Sequence, residues 1–157
     1  MDARERQVLE ARWRLSEIDD LHALADRLLA DGEDADALIR LFALDRDEVV
    51  WEGPAVLEEL LRDWGGGDLT VDDAVPIAVE DIARQLLAGS IAPADAALTL
   101  ERINSRTHYR HYPALEPWCE LCEELWWGMK SDDRSYLGRT RAEVEQDVYA
   151  LARQTLS

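Results

Sequence analysis

Apolar residues recur along this chain at steps of three and four, and that period is its strongest constraint on folding. A period near 3.6 is the signature of amphipathic helices, whereas a half-buried strand alternates every second residue. The first such segment runs from about Ala3 to Leu15, with Val8, Leu9 and Trp13 on one side. Ser16, with Asp19 three residues on, resembles a capping box for a second helix over 17–30 carrying Ile18, Leu21, Ala25 and Leu28. Gly32 ends that helix, and Asp34 or Asp36 caps a short one through Leu38, Leu41 and Phe42.

Pro54 suits the first turn of a helix whose stripe is Leu57, Leu60, Leu61 and Trp64. The stretch Glu48-Val49-Val50-Trp51 before it reads as an extended link. Thr70 or Asp72 opens a helix to about Ala88, with Pro76 arguing for a start nearer 76. Pro93 starts the next, through Ala97, Leu100 and Ile103. Residues 104–113 break the period. Pro113 and Pro117 bracket the start of a helix that stops near Gly128, and a polar loop follows over 131–139. Thr140 and Glu143 form a capping box for the last helix, with Val144, Val148, Leu151, Ala152 and Thr155 on one face. No run of alternating β-branched residues reaches convincing strand length. The expected fold is all-α, a compact bundle of about seven or eight amphipathic helices without a β-sheet core. At 157 residues the chain is expected to form one domain, with residues 65–69, around Gly65-Gly66-Gly67, as the place for a hinge between two helical halves.

Charge narrows the function classes. The chain carries 34 acidic and 17 basic residues, a net charge of -17, spread over both halves. Binding to nucleic acid needs clustered Lys and Arg, so no nucleic-acid partner is expected. An anionic membrane surface is disfavoured for the same reason. The uncharged run from Gln85 to Ala94 has ten residues, half of the roughly 20 that span a bilayer. The start, Met-Asp-Ala-Arg-Glu-Arg, has no apolar core behind a basic segment, so no secretory signal is expected there. Two cysteines make no disulfide framework. Sixteen of the 17 basic residues are Arg, which fits a GC-rich bacterial genome. A cytoplasmic location is expected.

Three groups of residues could carry a function. His108 and His111 precede Cys119 and Cys122, two His and two Cys at HxxH and CxxC spacing within 15 residues. Zinc takes four N and S ligands, so this set is the candidate metal site. The competing reading places both cysteines on a core stripe with Leu115, Trp118, Leu125, Trp126 and Met129, where a free Cys acts as a small hydrophobe. Trp118-Cys119-Glu120-Leu121-Cys122 also resembles the WCxxC of thioredoxin-like oxidoreductases, but no strand precedes it and no Gly-Pro separates the cysteines. The neighbouring glutamates would raise the thiol pKa. Second, Arg102, Arg106 and Arg110 form the chain's one basic stretch and are candidates for an anion clamp. Third, six Trp and four Tyr stand against one Phe, an aromatic set suited to interfaces. Trp126 and Trp127 cannot both face one core, because adjacent helical residues point about 100° apart. Trp126 is assigned inward and Trp127 outward. Trp127 and Trp51 become the candidate partner anchors, with Glu120, Glu123 and Glu124 beside them.

From Gln85 to the end the chain resembles small acidic, all-helical bacterial proteins of the immunity type. The matching features are Leu86-Leu87-Ala88-Gly89-Ser90-Ile91-Ala92-Pro93-Ala94-Asp95-Ala96-Ala97, the Tyr/His loop, Leu115-Glu116-Pro117-Trp118 and a capped last helix with Glu143, Glu145 and Asp147. The resemblance implies a protein that binds and blocks a toxin, often a basic nuclease, and it carries no catalytic residues. The leading expectation is therefore a non-catalytic, acidic module for a basic protein partner, without a cofactor. The alternative is a zinc-stabilised or thiol-active protein using the His/Cys set. A homo-oligomer would use the same exposed aromatics, so that option stays open.

Overall fold

The computed structural model describes residues 3–13, 15, 20–65, 69–107, 110–129 and 133–157. Among them the fold is all-α, with eight α-helices and no sheet. The one β-type pairing is an isolated antiparallel bridge between Arg134 and Thr140. No helix among these residues is long and apolar enough to cross a membrane. The contacts sort into two compact units, Met1–Ala74 and Val75–Ser157. Of the expected hinge, residues 66–68 lie outside the described residues.

The first unit holds α1 (Ala3–Arg12), α2 (Leu21–Ala30), α3 (Asp36–Ala43) and α4 (Glu48–Asp63). α1 packs on α4, α2 on α3 and α3 on α4. Their buried faces supply Val8, Leu9, Leu24, Leu28, Leu38, Leu41, Leu57 and Leu60, all essentially without solvent contact. Each fully buried aliphatic side chain of this kind contributes about 1.5–3 kcal/mol relative to exposure. Asp20 caps α2, its carboxylate accepting from the backbone N–H of His22 and Ala23. The Ser16–Asp19 cap falls outside the described residues. Gly32 (φ +91°) closes α2 in the left-handed region that favours glycine. His22 sits at the core edge, its Nε2 2.8 Å from the Leu44 carbonyl.

Two expectations fail in this unit. Glu48-Val49-Val50-Trp51 is not extended; it is the first turn of α4. The cause is a capping box. Asp45 accepts from the N–H of Asp47 and Glu48, while Glu48 Oε2 accepts from the N–H of Asp45. Pro54 consequently lies inside the helix and not at its start. Gly53 beside it allows close packing, since a Cβ there would lie 2.7 Å from Leu21 Cδ1. Phe42, on the expected short helix, is exposed. Ala37, Leu38 and Leu41 already fill the inner face of α3, and Phe42 meets the His22 ring edge-on at its border.

The second unit takes most of α5 (Val71–Leu87) and all of α6 (Pro93–Arg106), α7 (Glu116–Cys122) and α8 (Arg141–Thr155). A π-helical turn, Glu123–Trp127, extends α7. α6 packs on α7 and α8, and α7 on α8. Thr70 opens α5, sharing hydrogen bonds with Asp73, so Pro76 is accommodated within the helix. Thr140 and Glu143 make the expected reciprocal cap of α8. Leu100, Ile103, Trp118, Val144 and Val148 form the buried centre.

Candidate functional site

α7 begins after Leu115, with Pro117 in its first turn, where the missing N–H costs nothing. Leu115, Trp118, Cys122 and Leu125 follow one another at three, four and three residues, and all four are buried. Cys119 lies beside that stripe and is half-buried. The helix then widens. Gly128 N–H donates to the Glu123 carbonyl at 2.7 Å, a bond spanning five residues instead of four. Trp126 is four residues after Cys122, a step that slightly passes one α-turn but falls short of a wider one. Trp126 is thereby turned partly outward, against expectation, and its Nε1 donates to the Ala94 carbonyl at 2.9 Å.

Trp127 is 74% exposed. It borders an open groove of about 430 Å³ shared with Glu123, Gly128, Met129 and Tyr136. Tyr136 comes from the segment 133–140 and lies directly against Gly128. A Cβ at Gly128 would meet Tyr136 Cδ1 at 2.4 Å. That segment is anchored by Glu124, which is buried and not a surface acid as expected. Glu124 Oε2 accepts from Ser135 Oγ at 3.0 Å, and Oε1 pairs with Arg139 at 3.0 Å. The segment folded over Glu124, not the helix stripe, creates its burial.

On another side of Glu123 lies a second cavity, of about 380 Å³. Arg110, His111, Glu116, Cys119, Glu120 and Glu123 are among the residues lining it. It joins members of all three expected groups but completes none of them. His111 is exposed and pairs with Glu116, Nδ1 to Oε1 2.9 Å. Cys122 is fully buried and does not line the cavity. His108 lies outside the described residues. Among the described residues, no group of three or more His, Cys, Asp and Glu side chains is placed to hold a metal ion. Arg102 is exposed and Arg106 half-buried, and neither lines the cavity with Arg110. Three glutamates face that single arginine, which is unfavourable for an anion.

Burial and the charges of Glu101, Glu123 and Glu116 push the Cys119 thiol up to about 11, against an opposing hydrogen bond with Asn104. Burial first, then Glu101, push Cys122 to about 12. A thiol near 11 is thiolate in only about one molecule in ten thousand at neutral pH, and the thiolate is the nucleophile. Alkylation of Cys119 at pH 7 is therefore expected to be far slower than that of a free thiol. Its rate should rise about tenfold per pH unit to at least pH 10, with Cys122 protected until unfolding. A stopped-flow thiol assay across that range checks this; rapid labelling at pH 7 would remove the electrostatic account.

The other candidate anchor belongs to the first unit. Trp51 is 83% exposed and borders a groove of about 600 Å³ with Arg40, Ala43, Leu44, Glu52, Ala55, Val56 and Glu59. Arg40 pairs with Glu59 there. Sequence reading missed Gly128, Met129 and Tyr136 as groove residues. Nothing local marks them, apart from a glycine after Trp126-Trp127. No family model, no curated protein and no solved structure matches the chain.

Proposed function

We propose that the chain is a non-catalytic, acidic binding module whose partner is a basic protein. The observation that carries this is Trp127, a large ring 74% exposed that shares its groove with the exposed Glu123, with exposed Glu120 on the preceding turn of the helix. Trp is the residue most enriched among interface hot spots, and most Trp surface in a folded chain is buried. The net charge of -17 adds a field that steers a cationic protein and speeds its association. A basic toxin, the partner class implied by the resemblance to immunity-type proteins, has the complementary charge. The raised thiols of Cys119 and Cys122 speak against redox catalysis as the main activity.

The test compares wild-type chain with Trp127→Ala and with Glu120→Lys/Glu123→Lys in affinity capture, then measures the purified pair. A partner of basic pI should bind wild type with salt-sensitive association. Trp127→Ala should weaken it by at least about thirtyfold, the scale of a hot-spot truncation. Charge reversal should mainly slow association. An acidic partner, or affinity indifferent to all three positions, would sink the proposal.

A further inference from the structure

We infer that the groove between Trp127 and Tyr136 is a receptor for a single arginine side chain. The basic-partner reading supplies who would present that arginine; the chemistry of the groove stands on its own residues.

Two exposed aromatic rings flank the groove, Trp127 and Tyr136, the latter 53% exposed. A cation over such a ring face is attracted by its quadrupole, most strongly for Trp. The chain already makes this contact elsewhere. Arg12 lies 4.3 Å from the ring centroid of Trp13, and Arg4 5.3 Å from that of Trp64. Among the described residues no cation lies over Trp127. Glu123, exposed at the groove, forms no side-chain ion pair among them either. Among the described residues, Glu123 and two exposed aromatic side chains thus border one open volume with no cation seated on Trp127. The Trp51 groove differs, because Arg40 already pairs with Glu59 there.

Gly128 builds the groove by absence. Its φ of -94° suits any residue, so backbone freedom is not the reason for glycine. A Cβ would collide with Tyr136 Cδ1 and Cε1, at 2.4 and 2.9 Å, and would approach the Glu123 carbonyl. Glycine lets the Tyr136 ring rest on the backbone and sets its position relative to Trp127.

The shape selects arginine over other cations. The volume of about 430 Å³ accepts one long side chain. A flat guanidinium can stack on a ring while its fork of N–H groups donates to the Glu123 carboxylate. A lysine ammonium brings the charge without the stacking plane. A quaternary ammonium has no N–H to donate, and it favours a closed aromatic box over a slot with two aromatic sides.

The experiment uses the whole chain, ¹⁵N-labelled. Acetyl-arginine methylamide is titrated in, followed separately by its lysine and trimethyl-lysine counterparts. The expected result is a weak, saturable shift of the Trp127 indole N–H and the Gly128 amide with arginine. Lysine should bind at least about threefold more weakly. Glu123→Gln should weaken arginine about three- to tenfold, and Trp127→Ala should abolish saturation. Trp51→Ala should change nothing. Gly128→Ala should displace Tyr136 and lose binding; Tyr136→Leu gives the same readout if that variant misfolds. No saturable shift at the groove overturns the inference, as does equal binding of the three cations or binding that survives Trp127→Ala. If a basic protein binds through Trp127 but arginine does not enter the groove, this inference fails while the proposed function stands. If arginine binds but a partner ignores Trp127, the reverse holds.

Discussion

Trp118→Ala is expected to destabilise the second unit by about 3–5 kcal/mol, the range for truncating a fully buried aromatic residue. Trp118 has no solvent exposure and lies on the buried face that α7 shares with Leu115, Cys122 and Leu125. Removing the indole leaves a cavity that neighbouring helices fill only in part. Trp118→Phe is expected to cost much less, about 1 kcal/mol or below. The Trp118 Nε1–H is buried without a hydrogen-bond partner among the described residues. Leaving such a group unpaired carries a penalty of about 1–3 kcal/mol. Phenylalanine removes that penalty while losing part of the ring's contact area, so the two effects oppose each other. Urea unfolding followed by far-UV circular dichroism measures both variants. A Phe variant as unstable as the Ala variant would mean that the indole N–H has a partner and that its bond matters.

This pair of expectations shows which parts of the fold were legible beforehand. Trp118 sits on a stripe of three- and four-residue steps, and such stripes, with their caps, are local in sequence. The cap at Thr140–Glu143 was readable for that reason, whereas at the start of α5 Thr70 stood only as one of two openers and Pro76 argued for a later start. Asp45–Glu48 has the same pattern, but Val49, Val50 and the later Pro54 suggested extended backbone. A box that satisfies otherwise unpaired N–H groups outweighed the weak strand preference of two valines. A constant 3.6 period carried across Glu123–Trp127 places Trp126 inward. The wider turn changes the phase there, and no side-chain pattern announces it. At the candidate site, Trp127 was legible, because two adjacent tryptophans cannot share a face. Tyr136 and Glu124 were not. Their surroundings are made by a segment that returns after a polar loop, and only tertiary packing decides where that segment lands.

Glu124→Ala is expected to cost about 2–4 kcal/mol and to disturb the groove without touching it. Removing one partner from a buried charge pair typically costs about 3–5 kcal/mol. Here Arg139 keeps partial solvent access and a second carboxylate, Asp147, so the loss should fall about 1 kcal/mol below that range. Ser135 is worse placed. It is fully buried, and its hydroxyl donates to Glu124 while accepting from the Arg139 backbone N–H at 3.2 Å. The alanine variant leaves that hydroxyl without its acceptor. Glu124→Gln retains an acceptor for Ser135 and removes only the charge opposite Arg139, so it should cost about half as much. A double-mutant cycle with Arg139→Ala isolates the pair: coupling of at least about 1 kcal/mol is expected, and strictly additive losses would show that the two groups act independently. The functional consequence follows from chain connectivity. Ser135 immediately precedes Tyr136, so releasing Ser135 frees the ring that closes the groove over Gly128. Glu124→Ala should therefore weaken arginine at the groove even under conditions where the chain stays fully folded, whereas Trp118→Phe should leave it unchanged. The same titration reads both, and equal arginine binding by Glu124→Ala and wild type would detach the buried acid from the site it is argued to hold in place.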